Sequence, residues 1–200
     1  LLSLEDRSKT SFLQFCAEDS LTSLGRLRAL SPEMAGEWVV AWVHTWLQLD
    51  PGLLSARLLS DMAEELSHYQ PGPLCQPQCD QLSSLLAHLG GRVEPPGLGE
   101  RLIGAAINLA LLGDRRRLTA ALLDALALLY RLYQSNPEHV PALGLEPAMR
   151  ALHDIQTHTP PTAELGVRWN NLMRHWLNLS DHQLAACAVE RAKLQSLRLW

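Results

Sequence analysis

The sequence predicts an all-α protein of about nine or ten helices, stacked as antiparallel hairpins in an irregular α-solenoid or a compact helical bundle. Leu and Ala dominate the chain, whereas the β-branched and aromatic residues that favour strands are scarce. Apolar residues recur at the period of an amphipathic helix through most segments. Breaks made of Pro, Gly, Ser and Asp separate these segments and give the expected number of helices.

The chain is expected to form a single all-helical domain over residues 1–200, because 47% of its residues are hydrophobic and only 19% are charged. The Glu-Pro-Pro-Gly motif at residues 94–97 is the best candidate for a joint, which would divide the chain into 1–93 and 98–200. The net charge of −4 disfavours nucleic acid as a partner, since phosphate binding normally requires a basic surplus.

The apolar segments are too short for a membrane span, which needs about 18 uninterrupted apolar residues. Of the two best candidates, residues 102–112 are too few, and residues 118–133 are interrupted by Asp124 and Arg131. The first residues lack the long apolar core of a signal peptide, and four cysteines are too few for a dense disulfide scaffold. We therefore expect an intracellular protein, located in the cytoplasm.

Four helices are predicted before a Pro-rich loop at residues 70–78. Asp19 or Ser20 is expected to end a helix that starts near residue 3 and to cap a second one that reaches about residue 30. Ser31-Pro32-Glu33 predicts a third helix, to about residue 49, because Ser caps the helix and Pro fits its first turn. Asp50-Pro51 predicts a fourth helix by the same logic. Its apolar stripe would be Leu54, Leu58, Leu59, Met62, Ala63 and Leu66.

Six further helices are predicted after this loop. Their expected ranges are residues 79–89, 99–112, 115–133, 146–157, 163–179 and 181 to the end. Asp114 is expected to cap the third of these six, and Glu146-Pro147 to open the fourth. Ser180 with Gln183 forms the pattern of a capping box, which places the last break between helices.

The breaks at Asp50, Asp114 and Ser180 superimpose three helical hairpins of roughly 35–40 residues each, a length typical of helical repeats. In the last hairpin, six side chains stand at the positions where a known repeat places Trp, Leu, Tyr, Ala, an aromatic residue and Ala. They are Trp169, Leu172, Trp176, Ala185, Val189 and Ala192. This hairpin resembles a tetratricopeptide repeat, although Met173 stands where that family has a small residue. The resemblance implies a protein-binding scaffold.

One candidate metal site combines Cys75 and Cys79 with His68 before them and His88 after them. Zinc takes four such ligands at a tetrahedral centre. The alternative is two cysteines in a Pro-rich loop, flanked by surface histidines. No other arrangement of His, Cys or acidic residues has metal-ligand spacing, so no cofactor is expected.

Two sets of residues are candidates for binding a partner protein. Arg115, Arg116 and Arg117 would begin a helix, where positive charges oppose the helix dipole, and could meet an acidic partner segment. The alternative is an exposed turn in which Asp114 offsets one of the charges. Trp38, Trp42 and Trp46 recur every fourth residue and would lie on one helix face. They could anchor a partner or fill the core.

The sequence contains no nucleophile motif, phosphate-binding loop or dinucleotide fingerprint. We therefore predict a non-enzymatic scaffold or adaptor that binds another protein through a groove lined by the first helices of the hairpins or through the Arg115–Arg117 edge. The first alternative is a subunit of an obligate assembly, including an oligomer of this chain. The second is a zinc-binding helical protein that uses Cys75 and Cys79.

Overall fold

The protein is all-α in the computed structural model, which describes residues 4–47, 55–67, 75–112, 117–158 and 161–197. These residues form ten helices and no strand, which confirms the predicted fold class and helix number. The helices are α1 (Leu4–Leu30), α2 (Pro32–Leu47), α3 (Ala56–Ser67), α4 (Gln76–Gly90), α5 (Pro96–Leu112), α6 (Ala120–Ser135), α7 (Glu146–His158), α8 (Ala163–Trp176), α9 (Asp181–Ala186) and α10 (Arg191–Ser196). None of them is long and apolar enough to cross a membrane.

The first helix is continuous, so the predicted break at Asp19 or Ser20 is wrong. The hydroxyl group of Ser20 donates a hydrogen bond to the Ala17 carbonyl (2.9 Å), and Ser23 bonds in the same way to Asp19 (2.9 Å). Hydroxyl groups that bond back to the preceding turn are accommodated inside a helix and do not cap a new one. The predicted helix start at Ser31-Pro32 is confirmed, because α2 begins at Pro32.

The third helix begins at Ala56, where the Ser55 hydroxyl accepts a hydrogen bond from the Leu58 amide (3.1 Å). The predicted start at Asp50-Pro51 lies outside the described residues. The predicted apolar stripe is buried over its described part, which comprises Leu58, Leu59, Met62, Ala63 and Leu66.

The sixth helix begins at Ala120, five residues later than the predicted residue 115, so Asp114 does not cap it. Thr119 is the cap, because its hydroxyl accepts a hydrogen bond from the Leu122 amide (3.2 Å). The fourth helix begins earlier than predicted, at Gln76, because Pro77 fits within its first turn. The prediction for α7 is confirmed to within one residue at its end.

The last predicted helix, from residue 181 to the end, is two short helices, so a single continuous helix is wrong. Ser180 caps α9 as predicted, since its hydroxyl accepts from the Gln183 amide (3.2 Å). The chain then turns at Ala188, which has a left-handed φ of 55°. This conformation cannot continue a right-handed helix. The second helix predicted for the last hairpin is therefore interrupted.

Each helix from α1 to α6 contacts the helix after next in the chain. The pairs α1–α3, α2–α4, α3–α5, α4–α6, α5–α7 and α6–α8 are all in contact, and α4, α5 and α6 also contact one another. Contacts between every second helix are expected of two stacked layers. Regular hairpin repeats and an α-solenoid stay predictions.

The tightest helix contact joins α4 to α5 through two glycines. A Cβ atom on Gly99 would lie 2.4 Å from the Gly90 carbonyl oxygen, so only glycine permits this approach. The motif at 94–97 joins these two helices, and its last two residues begin α5. The proposed subdivision of the chain at that motif stays a prediction.

Candidate functional site: a groove beside the buried Glu100

Glu100 is a buried carboxylate on α5, with only 2% of its surface exposed. Its Oε1 atom accepts hydrogen bonds from the Tyr133 hydroxyl (2.7 Å) and from the backbone amides of Ala142 (2.9 Å) and Leu143 (2.8 Å). Its Oε2 atom lies 2.8 Å from Nε2 of His139. A buried carboxylate is tolerated only when its oxygens are satisfied in this way.

These bonds fasten the segment that follows α6 to the side of α5. A second contact reinforces the attachment, because a Cβ atom on Gly104 would lie 2.9 Å from Cδ1 of Leu143. The segment between α6 and α7 contains no helix, so its position depends on such contacts. Glu100 therefore holds His139 and Leu143 in place. We call Glu100 and the groups that bond to it, on Tyr133, His139, Ala142 and Leu143, the clasp.

The clasped segment forms one wall of a groove of about 620 Å³, and α3 and α5 form the others. We call it the α3–α5 groove. Its lining residues are Ala56, Ser60, Pro95, Gly97, Leu98, Glu100, Arg101, His139, Ala142 and Leu143. A second depression of about 290 Å³ shares Ser60, Arg101 and Leu143 with it and leads further along α5.

The groove has an apolar surface with few polar groups, a composition typical of binding sites. Arg101 is exposed at its edge, and its Nη1 atom donates a hydrogen bond to the Ser60 hydroxyl (2.9 Å). His139 is half-buried and is oriented by Glu100. The arrangement can offer apolar contacts together with one permanent positive charge.

Behind Glu100, Tyr133 and Cys187 lie in a fully buried layer. Burial, with the nearby Cys187 and Glu100, raises the pKa of Tyr133 far above its ordinary value. Burial also raises the pKa of the Cys187 thiol to about 11, although its hydrogen bond with Tyr133 lowers it. A reactive cysteine needs a lowered pKa, so this thiol is unsuited to nucleophilic chemistry.

The candidate zinc ligands are only partly brought together. Cys75 precedes α4 and is exposed, whereas Cys79 is completely buried one turn later. Burial raises the pKa of Cys79 to about 11, and the charges of Asp80 and Cys75 add to this. His88 lies nine residues further along the same helix than Cys79, which places it about 13 Å away along the helix axis. His68 lies outside the described residues.

Arg117, the one described member of the arginine set, does not begin a helix. Arg117 is exposed in a bend three residues before the start of α6, so the predicted opposition to the helix dipole is wrong for it. Arg115 and Arg116 lie outside the described residues.

The three tryptophans of α2 have different surroundings. Trp38 is 65% exposed, and Met34, one turn before it, is 51% exposed. Trp42 is half-buried and donates a hydrogen bond from Nε1 to the Ser20 hydroxyl (2.8 Å). The side chain of Trp46 lies outside the described part of the chain. Trp38 is thus available to a partner, and Trp42 ties α2 to α1.

The sequence reasoning missed the clasp of Glu100, Tyr133 and His139. A signal for Glu100 was present, because it lies three, four and seven residues before Ile103, Gly104 and Ile107 on the apolar face of its helix. An acidic residue on such a face predicts a buried partner. The sequence gives no signal that identifies Tyr133 or His139 as that partner.

No family model, curated protein or solved structure matches the chain. The likeness of the last hairpin to a tetratricopeptide repeat therefore stays a prediction. The function is inferred from the geometry of the molecule alone.

Proposed function

We propose that this protein is a non-enzymatic scaffold whose α3–α5 groove receives a segment of a partner protein. The observation that carries the proposal is the clasp, in which four hydrogen-bonding groups converge on Glu100 and fix one wall of the groove. A wall that is fixed before binding reduces the entropy lost on association.

The lining of the groove determines the expected partner. Ala56, Leu98 and Leu143 would contact apolar side chains, and Arg101 at the edge would pair with a carboxylate. A partner segment with apolar residues and one acidic residue fits both features. Hydrophobic contact would provide most of the affinity, and the ion pair would orient the segment.

A role without catalysis agrees with the chemistry around the clasp. His139 and Glu100 form a pair that could move a proton, but a nucleophile must lie within reach of such a pair. The Cys187 thiol, in the buried layer behind Glu100, has a raised pKa and is therefore a poor nucleophile. The Ser60 hydroxyl, which lines the groove, accepts a hydrogen bond from Arg101 and makes no hydrogen bond with the pair that would activate it. The pair is therefore better explained as part of the clasp.

The proposed location is the cytoplasm. All four cysteines lie in the described part of the chain and carry free thiols, as is usual in a reducing compartment.

A substitution that fills the groove tests the proposal. Ala142 is exposed and lines the groove, so Ala142→Trp would occupy it while keeping the backbone amide that bonds to Glu100. Ala192→Trp, at an exposed position on α10, is the matched control. We expect quantitative affinity capture from the native source to yield a partner that binds wild type and Ala192→Trp and is lost with Ala142→Trp. Equal recovery with all three proteins would refute the groove as the site.

The alternative of a subunit in an obligate assembly is favoured by one observation, the exposed Met34 and Trp38 on a single face of α2. In a self-assembly, light scattering would show a mass that rises with concentration and returns to the monomer value with Trp38→Ala. A constant monomer mass would exclude self-assembly. For the zinc alternative, metal analysis of the purified protein is decisive, since a structural site would retain stoichiometric zinc.

A further inference from the structure

A second groove lies between α6 and α8, on different residues from the α3–α5 groove. Arg168 on α8 pairs with Asp124 on α6 (2.5 Å between Nη2 and Oδ1). Six residues further along α6 and seven further along α8, the rings of Tyr130 and His175 stack with their centroids 5.4 Å apart. The two helices therefore run parallel and in step, and they enclose a groove of about 440 Å³, the α6–α8 groove.

The α6–α8 groove is cationic, although the chain as a whole has a net charge of −4. Its described lining contains no acidic residue and consists of Ala127, Tyr130, Arg131, Gln134, Arg168, Asn171, Leu172 and His175. Arg131 is exposed and makes no hydrogen bond or ion pair with any described residue. Two carboxylates lie at its margins: Asp124, paired with Arg168, and Glu94, in a neighbouring depression that Arg131 also lines.

The other lining residues match the needs of a peptide. Ala127 and Leu172 provide an apolar floor, and the Gln134 and Asn171 amide groups can bond to the backbone of an extended segment. The guanidinium group of Arg131 can bind a carboxylate through two parallel hydrogen bonds. A nucleic acid would require a wider basic surface, which a chain of this net charge does not favour.

We propose that the α6–α8 groove binds an acidic, extended segment of a partner protein, with Arg131 as its principal carboxylate-binding residue. The inference rests on the proposed scaffold function and adds a second surface of different chemistry. The sequence predicted that an acidic partner segment would bind Arg115–Arg117. We place the binding site for such a segment at Arg131 instead, about two helical turns after Asp124, which pairs with Arg168.

Fluorescence anisotropy with labelled probes tests this inference on the whole chain. The probes are an oligoglutamate peptide with one central leucine, its counterpart with glutamine in place of glutamate, and a single-stranded oligodeoxynucleotide. We expect the acidic peptide alone to bind saturably, and Arg131→Glu to weaken it by roughly tenfold or more. Arg26→Glu is the matched control, because Arg26 is also exposed but lies on α1, which packs against α2 and α3.

Several results would overturn the inference, and each can be distinguished from the expected one. Absence of saturable binding, equal binding of the glutamine peptide, or an equal effect of Arg26→Glu and Arg131→Glu would each overturn the inference. Binding of the oligonucleotide in place of the acidic peptide, with loss in Arg131→Glu, would also overturn it and identify a nucleic-acid site. Circular dichroism verifies that both variants are folded. The Ala142→Trp experiment concerns the α3–α5 groove, so it can fail while this one succeeds, or the reverse.

Discussion

The α3–α5 groove and the α6–α8 groove are built alike and differ in how their walls are held. Each lies between two helices that are separated by one helix in the chain. The first is held by a buried carboxylate with four hydrogen-bonding partners, whereas the second is held by a half-exposed ion pair and a ring stack. Grooves between helices that are second neighbours in the chain can thus differ, one being apolar with a fixed wall and the other open and charged.

This difference predicts unequal dependence on single side chains. A buried polar network loses much stability when one member is removed, because its remaining groups are left without partners in a low dielectric. An exposed pair loses little, because water replaces the missing partner. The following predictions test that contrast, beginning with the largest effect.

Removal of the clasp is expected to have the largest effect. Glu100→Ala leaves the Tyr133 hydroxyl and two backbone amides without their acceptor in the interior. We expect the free energy of unfolding, measured in urea, to fall by about 3 kcal/mol or more. Glu100→Gln, which keeps one acceptor oxygen, should lose less. Equal losses in the two variants would contradict the importance of the hydrogen bonds.

Alkaline pH should weaken the layer behind the clasp. Burial raises the pKa of Cys187 from 9.0 to about 11, so the folded state holds this proton more tightly than the unfolded chain. The stabilisation is complete below pH 9.0 and is lost as the pH rises towards 11. We expect this thiol to account for a fall of about 3 kcal/mol in the free energy of unfolding across this window, measured by urea titrations at several pH values.

The matched control for this prediction is Cys187→Ala. The buried Cys79 has a similarly raised pKa. The variant should therefore still lose stability between pH 9.0 and 11, but by less than wild type, because the contribution of Cys187 is gone. An unchanged slope in Cys187→Ala would show that this thiol keeps its ordinary pKa.

The clasp also shows why sequence reasoning reached the helices and missed the site. Helix periodicity and helix-start residues are local patterns. Periodicity predicted the fold class and the buried stripe of α3, and the Ser-Pro and Glu-Pro signals predicted the starts of α2 and α7. The residues that bond to Glu100 lie 33 to 43 positions further along the chain. Only tertiary packing brings such residues together, and their proximity cannot be predicted from residue spacing or composition.

The errors in helix boundaries have a similar cause. At α6, the sequence pointed to Asp114 as the cap, whereas the structure uses Thr119, whose hydroxyl accepts a hydrogen bond from the Leu122 amide. At the C terminus, the turn at Ala188 comes with a hydrogen bond from the Leu145 amide to the Cys187 carbonyl (2.8 Å), which joins it to a distant segment. A contact of this kind leaves no periodic trace in the sequence.

A milder change to the clasp should have an intermediate effect. Tyr133→Phe removes one of the three donors to Oε1 of Glu100 and retains the ring that packs edge-on against Trp176. We expect the free energy of unfolding to fall by about 1 to 2 kcal/mol. His175→Ala, which removes the stacked ring in the α6–α8 groove, is the comparison and should lose less because His175 is exposed. A larger loss in His175→Ala would reverse the contrast between the grooves.

The smallest change in stability is expected from Asp124→Ala, which breaks the ion pair with Arg168. Both side chains are substantially exposed, at 48% and 39%, so the free energy of unfolding should change by less than about 1 kcal/mol. The same substitution frees the Arg168 guanidinium group, and the oligoglutamate peptide should then bind more tightly than it binds wild type. If Asp124→Ala destabilises the fold as much as Glu100→Ala does, the pair is a structural clasp and the distinction between the two grooves is lost. Tighter peptide binding with unchanged stability would show that the α6–α8 groove can become more positively charged while α6 and α8 stay packed together.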